Sequence, residues 1–125
     1  MAERAGSRAS VSPFDQPQSV SDYATNLAAA KCYLGWDNPV VLNLACGSDT
    51  RTAFWNLDVV RQWPNSPRPC DLLWDARTNV IPFPDGSIDA IVAGYLLLHV
   101  SLPHHEPLMR EAFRVLKPGG RIELG

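Results

Sequence analysis

Pro39-Val40-Val41-Leu42-Asn43-Leu44-Ala45-Cys46-Gly47-Ser48-Asp49 runs apolar for its first half and then breaks at small residues. A short continuous apolar run that ends in such a turn reads as a buried strand of a parallel sheet. In open α/β sheets ligands sit outside the carboxyl ends of the strands, so the turn after Leu44 is where a binding loop is expected.

Upstream of this strand, Tyr23, Leu27, Ala30 and Leu34 fall at helical spacing, and Gly35 is a natural stop. Ser19 and Asp22 stand at capping-box spacing before that helix. Residues 1–20 are rich in Ala, Ser, Arg, Gln and Pro, with little periodicity, and read as a disordered tail before a domain over 21–125. Downstream, Ala53 to Val59 reads as a second strand, short and rich in aromatic residues. Cys46 to Ala53 is a brief connection for a parallel crossover, which usually takes roughly a dozen residues or more. Either the crossover helix is reduced to a turn, or the two strands are not adjacent parallel neighbours.

Pro64, Pro67 and Pro69 make the next segment a loop. Cys70 to Trp74 reads as a third strand ending at Asp75, and Asp85-Gly86 is a turn signal. Ile88 to Gly94 is the clearest buried strand. A helix is expected from about Glu106 to Lys117, with Pro107 in its first turn and Leu108, Ala112, Val115 and Leu116 on one face. Pro118-Gly119-Gly120 ends it, and Arg121 to Leu124 is a fifth strand.

The chain has 125 residues, enough for one core, and 46% of them are hydrophobic. A net charge of −2 without a basic block lacks the electrostatic footprint of a nucleic-acid binder and fits a small-molecule substrate. Cys32, Cys46 and Cys70 are too widely spaced for a zinc pattern and read as reduced thiols. The apolar runs are short of a membrane span and the N-terminus lacks a signal-peptide core, so no membrane association and a cytoplasmic location are expected. His99, His104, His105 and Glu106 match no strong metal template, and no metal is expected.

Three segments in order resemble class I S-adenosylmethionine (SAM)-dependent methyltransferases, most nearly the small methyltransferase type 11-like proteins. They are Leu42 to Gly47, Pro82-Phe83-Pro84-Asp85-Gly86-Ser87-Ile88-Asp89-Ala90-Ile91, and Glu111-Ala112-Phe113-Arg114-Val115-Leu116-Lys117-Pro118-Gly119-Gly120-Arg121. The resemblance covers about Pro39 to Gly125. It implies an α/β, Rossmann-like three-layer sandwich with a mainly parallel sheet in order 3-2-1-4-5, incomplete beside the family's seven strands.

The resemblance further implies SAM as cofactor and methyl transfer to an unidentified small-molecule acceptor. Asn43, Ala45, Cys46 and Gly47 would border the amino-acid end of SAM. Asp58 would accept from the ribose hydroxyls, and Asp75, with Ala76 beside it, would hold the adenine. Gly94 and Tyr95 would lie near the transferred methyl group. Such transfer needs donor and acceptor held in line, and a base only where the acceptor must lose a proton. No catalytic residue is assigned; His99 reads first as structural.

Two departures bear on this. The family loop has an acidic residue followed by Gly-x-Gly-x-Gly, whereas this chain has Asn43, Ala45, Gly47 and Asp49. The chain also stops on its fifth strand, whose open edge calls for a homodimer or partner subunit unless the chain is a fragment, which the stop at Gly125 favours. A non-catalytic methyltransferase-like module acting by partner binding is the alternative. A dinucleotide fingerprint would need glycine at positions 45, 47 and 50, where Ala45, Gly47 and Thr50 stand.

Overall fold

A computed structural model describes residues 22–94 and 96–124. The tail expected over residues 1–20, the capping residue Ser19, and Tyr95 and Gly125 lie outside the described residues. The first helix, α1, spans Tyr23–Leu34. Asp22 precedes it without a side-chain cap bond, so the expected capping box is not made from this residue. Gly35 closes the helix at φ 103°, its N–H donating to Lys31 O at 2.9 Å.

Strands β1 (Val41–Leu44), β2 (Trp55–Asp58), β3 (Leu72–Leu73), β4 (Ile88–Ala93) and β5 (Leu116–Leu124) form one sheet. Its order is β3-β2-β1-β4-β5 and every pairing is parallel, as expected. Leu42 stands beside Trp55 on one side and Ile91 on the other, and Leu44 beside Leu57. These side chains share one face of the sheet, because side chains alternate along a strand. They join Ala30 of α1 and Leu108, Ala112 and Val115 of a later helix in the main apolar cluster. Asn43 and Asn56, also register partners, point to the opposite face, where the buried apolar group is small: Cys46, Cys70 and Leu73.

The brief β1–β2 connection is resolved as turns without a helix. Asn56, 0% exposed, takes over the bonding that a crossover helix would satisfy within itself. Its Oδ1 accepts from Asn43 Nδ2 at 3.0 Å and Arg51 N at 2.9 Å. Its Nδ2 donates to Arg51 O and to Asp71 Oδ2, both at 2.9 Å. One buried amide thus ties both strands to the turn between them.

Beyond β4 come a short helix, α2 (Leu96–His99), and then α3 (His105–Val115). The helix expected to reach Lys117 stops two residues sooner. Leu116 is already in β5 opposite Ile88, and a register shift separates that pair from Ala90 opposite Arg121. Gly119 at φ 81° and Gly120 lie within the irregularity; a Cβ on Gly120 would come 2.9 Å from Lys117 O. The two glycines let the strand kink where the sequence suggests a plain turn. Arg114 of α3 stacks over the Tyr23 ring of α1 at 5.1 Å, so the two helices meet.

Candidate functional site

A cavity of about 360 Å³ opens at the carboxyl ends of β1, β2 and β3. Gly47 enters it from the β1–β2 turn, Asp58 from the end of β2, and Asp75 and Ala76 from the segment after β3. Trp63, Trp74, Leu96 and Val100 supply apolar wall, and His99 and Arg77 stand on its lining. A second cavity of about 310 Å³ is lined by Asn43, Cys46, Asp49, Arg51 and Gly94. Ala45 borders both. The residues expected from sequence therefore fall into two groups on either side of Ala45.

The local geometry explains each placement. Ala45 has φ 51° and Gly47 φ 58°, left-handed conformations on both sides of Cys46. Glycine adopts this region freely, whereas alanine is strained there. A Cβ on Gly47 would meet nothing within 4 Å, so the position is open as well as turned. Asn43 is buried, and its Nδ2 also donates to Asp49 O at 2.7 Å, which braces the turn from within.

Asp58 is 6% exposed and accepts from several donors of its own chain. Gly47 N reaches its Oδ2 at 2.6 Å and Trp63 Nε1 at 3.2 Å. Val59 N and Val60 N reach Oδ1 at 2.6 and 3.3 Å. Asp75 caps the 3₁₀ turn Ala76–Thr78 and is gripped by Arg77, whose Nε and Nη2 donate at 3.0 and 2.8 Å. Those bonds hold the Asp75 carboxyl below the usual carboxylate range, against the opposing pull of burial.

Burial pushes the Cys46 thiol well up, and the neighbouring Asp58 carboxylate pushes it further. Cys70 is raised by the same causes to about 11. Both are neutral thiols and poor nucleophiles at neutral pH. Among the described residues no group of three His, Cys, Asp or Glu side chains could hold a metal ion. His104 Nδ1 instead meets Asn79 Oδ1 at 2.8 Å, and His105 Nε2 meets Val100 O at 3.1 Å.

Sequence reasoning missed Trp63, Trp74, Arg77, Leu96 and Val100. Trp63 sits in a proline-rich loop without periodicity, so nothing local marked it. Arg77, two residues after Asp75, is the one whose spacing held a signal, since an Asx-type cap is followed closely by its donor.

A family model described as a methyltransferase domain matches residues 55–124. The ubiquinone/menaquinone biosynthesis C-methyltransferase UbiE of Bartonella quintana is 36% identical over 74 residues, covering 59% of this chain and 28% of that protein. The demethylmenaquinone methyltransferase of Listeria welshimeri is 45% identical over 42 residues, 34% of this chain and 17% of that protein. The chain thus spans less than a third of the length of these curated relatives. Among solved structures, the PH0226 protein of Pyrococcus horikoshii OT3 matches with a TM-score of 0.56 at 20% identity, over 83% of this chain and 56% of that one. A proposed S-adenosyl-L-methionine-dependent methyltransferase from Methanococcus maripaludis matches at 0.52 and 18% identity, over 84% and 55%. These two likenesses are of fold.

Proposed function

This chain belongs to the methyltransferase-domain family, and we propose that it binds SAM and serves methyl transfer to a small-molecule acceptor. One observation carries this reading. Gly47, Asp58, Asp75 and Ala76, from three separate connections, line a single cavity at the strand ends. Two carboxylates with aromatic and aliphatic walls suit a nucleoside, which offers hydroxyl and amino donors and a flat ring. The site has no need of a phosphate-binding lysine, because SAM carries no phosphate.

The chemistry SAM supplies when bound is an activated methyl group on a sulfonium centre. The chain's part is to bind, orient and exclude water. Asp58 is the acceptor that faces the ribose, and charged acceptors make the stronger hydrogen bonds. Asp75 and Ala76 border the base. Gly47 leaves open space for the ligand, and Ala45, between the two cavities, borders the amino-acid end with Asn43 and Cys46. Gly94 lines the second cavity. The relatives named as a ubiquinone/menaquinone biosynthesis C-methyltransferase and a demethylmenaquinone methyltransferase favour a quinone-precursor ring as acceptor.

The other reading is a methyltransferase-like module that acts by binding a partner. It is favoured by the strained Ala45 and by the engagement of Asn43 inside its own turn. Calorimetric titration with SAM and with S-adenosylhomocysteine separates the two. Saturable binding supports the first; the absence of heat at millimolar ligand removes it.

A further inference from the structure

The Asp58 carboxylate has no acceptor position to spare. A carboxylate offers about four lone-pair directions. Four N–H groups of the chain use them: Gly47, Val59 and Val60 from the backbone and Trp63 Nε1 from a side chain, and the buried Cys46 thiol stands 3.9 Å from Oδ2 as a weak fifth donor. The Gly47 bond holds the β1–β2 turn, and the Val59 and Val60 bonds hold the turn after β2. Freeing any of these three means unmaking backbone structure.

Trp63 differs from them. Its side chain is joined by rotatable bonds, and the residue is 42% exposed, so its indole can leave Asp58 and find water instead. Its loop need not open for that. Cys70 N donates to Arg61 O at 2.7 Å and closes the loop at its base, and Thr50 Oγ1 meets Ser66 Oγ at 3.1 Å. Trp63 also lines the same cavity as Asp58, so an indole that swings stays at the ligand.

We propose that Trp63 sets the nucleoside affinity of this site: its indole N–H stands on Asp58 in place of a ribose hydroxyl, and must leave before the ribose is held. This rests on the reading of the cavity as a SAM site. The exchange swaps one neutral donor for another on the same carboxylate, and the released indole is hydrated. The gate therefore tunes affinity and does not block binding.

The test uses S-adenosylhomocysteine as probe with wild type, Trp63→Phe and Asp58→Asn. Calorimetry is expected to show binding tightened about tenfold in Trp63→Phe, the scale of one competing hydrogen bond to a charged acceptor, and weakened in Asp58→Asn. A second readout is taken on the wild-type protein, with Trp63→Phe used only to identify one signal. In ¹⁵N-tryptophan-labelled wild type, saturation with the probe should move the Trp63 indole N–H signal, identified by its loss in Trp63→Phe, toward the position of a water-exposed indole in the urea-unfolded chain. Unchanged or weaker binding in Trp63→Phe, or an indole signal unmoved at saturation, overturns the gate while leaving the cofactor site standing. Equal binding by wild type and Asp58→Asn, or no binding by wild type and Trp63→Phe, overturns both.

Discussion

The backbone N–H of Gly47 donates to Asp58 Oδ2 at 2.6 Å, joining the turn after β1 to the last residue of β2. The shape of the turn after β1 and the position of the Asp58 carboxylate are therefore one structural unit. A change in either is felt by the other.

Ala45 carries the strain in that unit, at φ 51°. Ala45→Gly relieves it, and the gain exceeds the extra freedom given to the unfolded chain. The expected result is a stability gain of up to about 1 kcal/mol by urea unfolding, where the same change at an ordinary residue would cost about that much. A loss of stability would contradict the left-handed assignment.

Asn56 is the substitute for a crossover helix. Asn56→Ala removes one hydrogen bond each from Asn43 Nδ2, Arg51 N, Arg51 O and Asp71 Oδ2 at one stroke. A destabilisation of about 2–4 kcal/mol is expected, since several buried polar groups lose bonds together. Hydrogen exchange should locate the loosening at the β1–β2 turn; a loss spread evenly over the sheet would count against this role.

Arg114 joins two of the segments that identify the fold. Its Nη1 donates to Phe83 O at 2.9 Å and Asp85 Oδ1 at 2.7 Å, and its Nη2 to Ile81 O at 2.7 Å. Arg114→Met keeps much of the packing and removes these bonds. The expected cost is about 2–4 kcal/mol in thermal or chemical unfolding, and a change below about 0.5 kcal/mol, typical of an ordinary surface site, would refute the clamp.

Glu111 shares this clamp. Burial alone would raise its carboxyl, but the Arg114 bonds and the Ile81 N–H hold it below its ordinary value of 4.5. A depressed carboxyl stabilises the fold above its unfolded pKa, and the contribution is lost as pH falls through the folded pKa. Wild type should lose stability as pH falls below 4.5, and Glu111→Gln should lose less over the same fall. Identical acid profiles for the two proteins would show that Glu111 is not part of the acid response.

Much of the sheet was legible. The largely apolar runs around Leu42 and Ile91 read as buried strands, and the resemblance of three segments to a known family implied the parallel order. The β1–β2 joint was not legible. Its solution is an amide at Asn56 reaching Asp71 across fifteen residues, and no local pattern encodes such a contact. The same holds for the site. Gly47 follows β1, Asp58 ends β2 and Asp75 follows β3, and the resemblance to a known family pointed to them there. Trp63 reaches Asp58 by the path of a proline-rich loop, and Ala45 hides a glycine-like conformation under a residue that rarely adopts it.

In the proposed function, Asp58 holds the nucleoside of SAM in the cavity at the strand ends. Calorimetric titration of SAM into wild type and Asp58→Asn, each checked for fold by circular dichroism, tests it most directly. Binding by wild type, weakened about tenfold or more in the variant, is the predicted result, because the variant loses a charged acceptor. Equal affinity in the two proteins, or no binding by wild type at millimolar SAM, would contradict it.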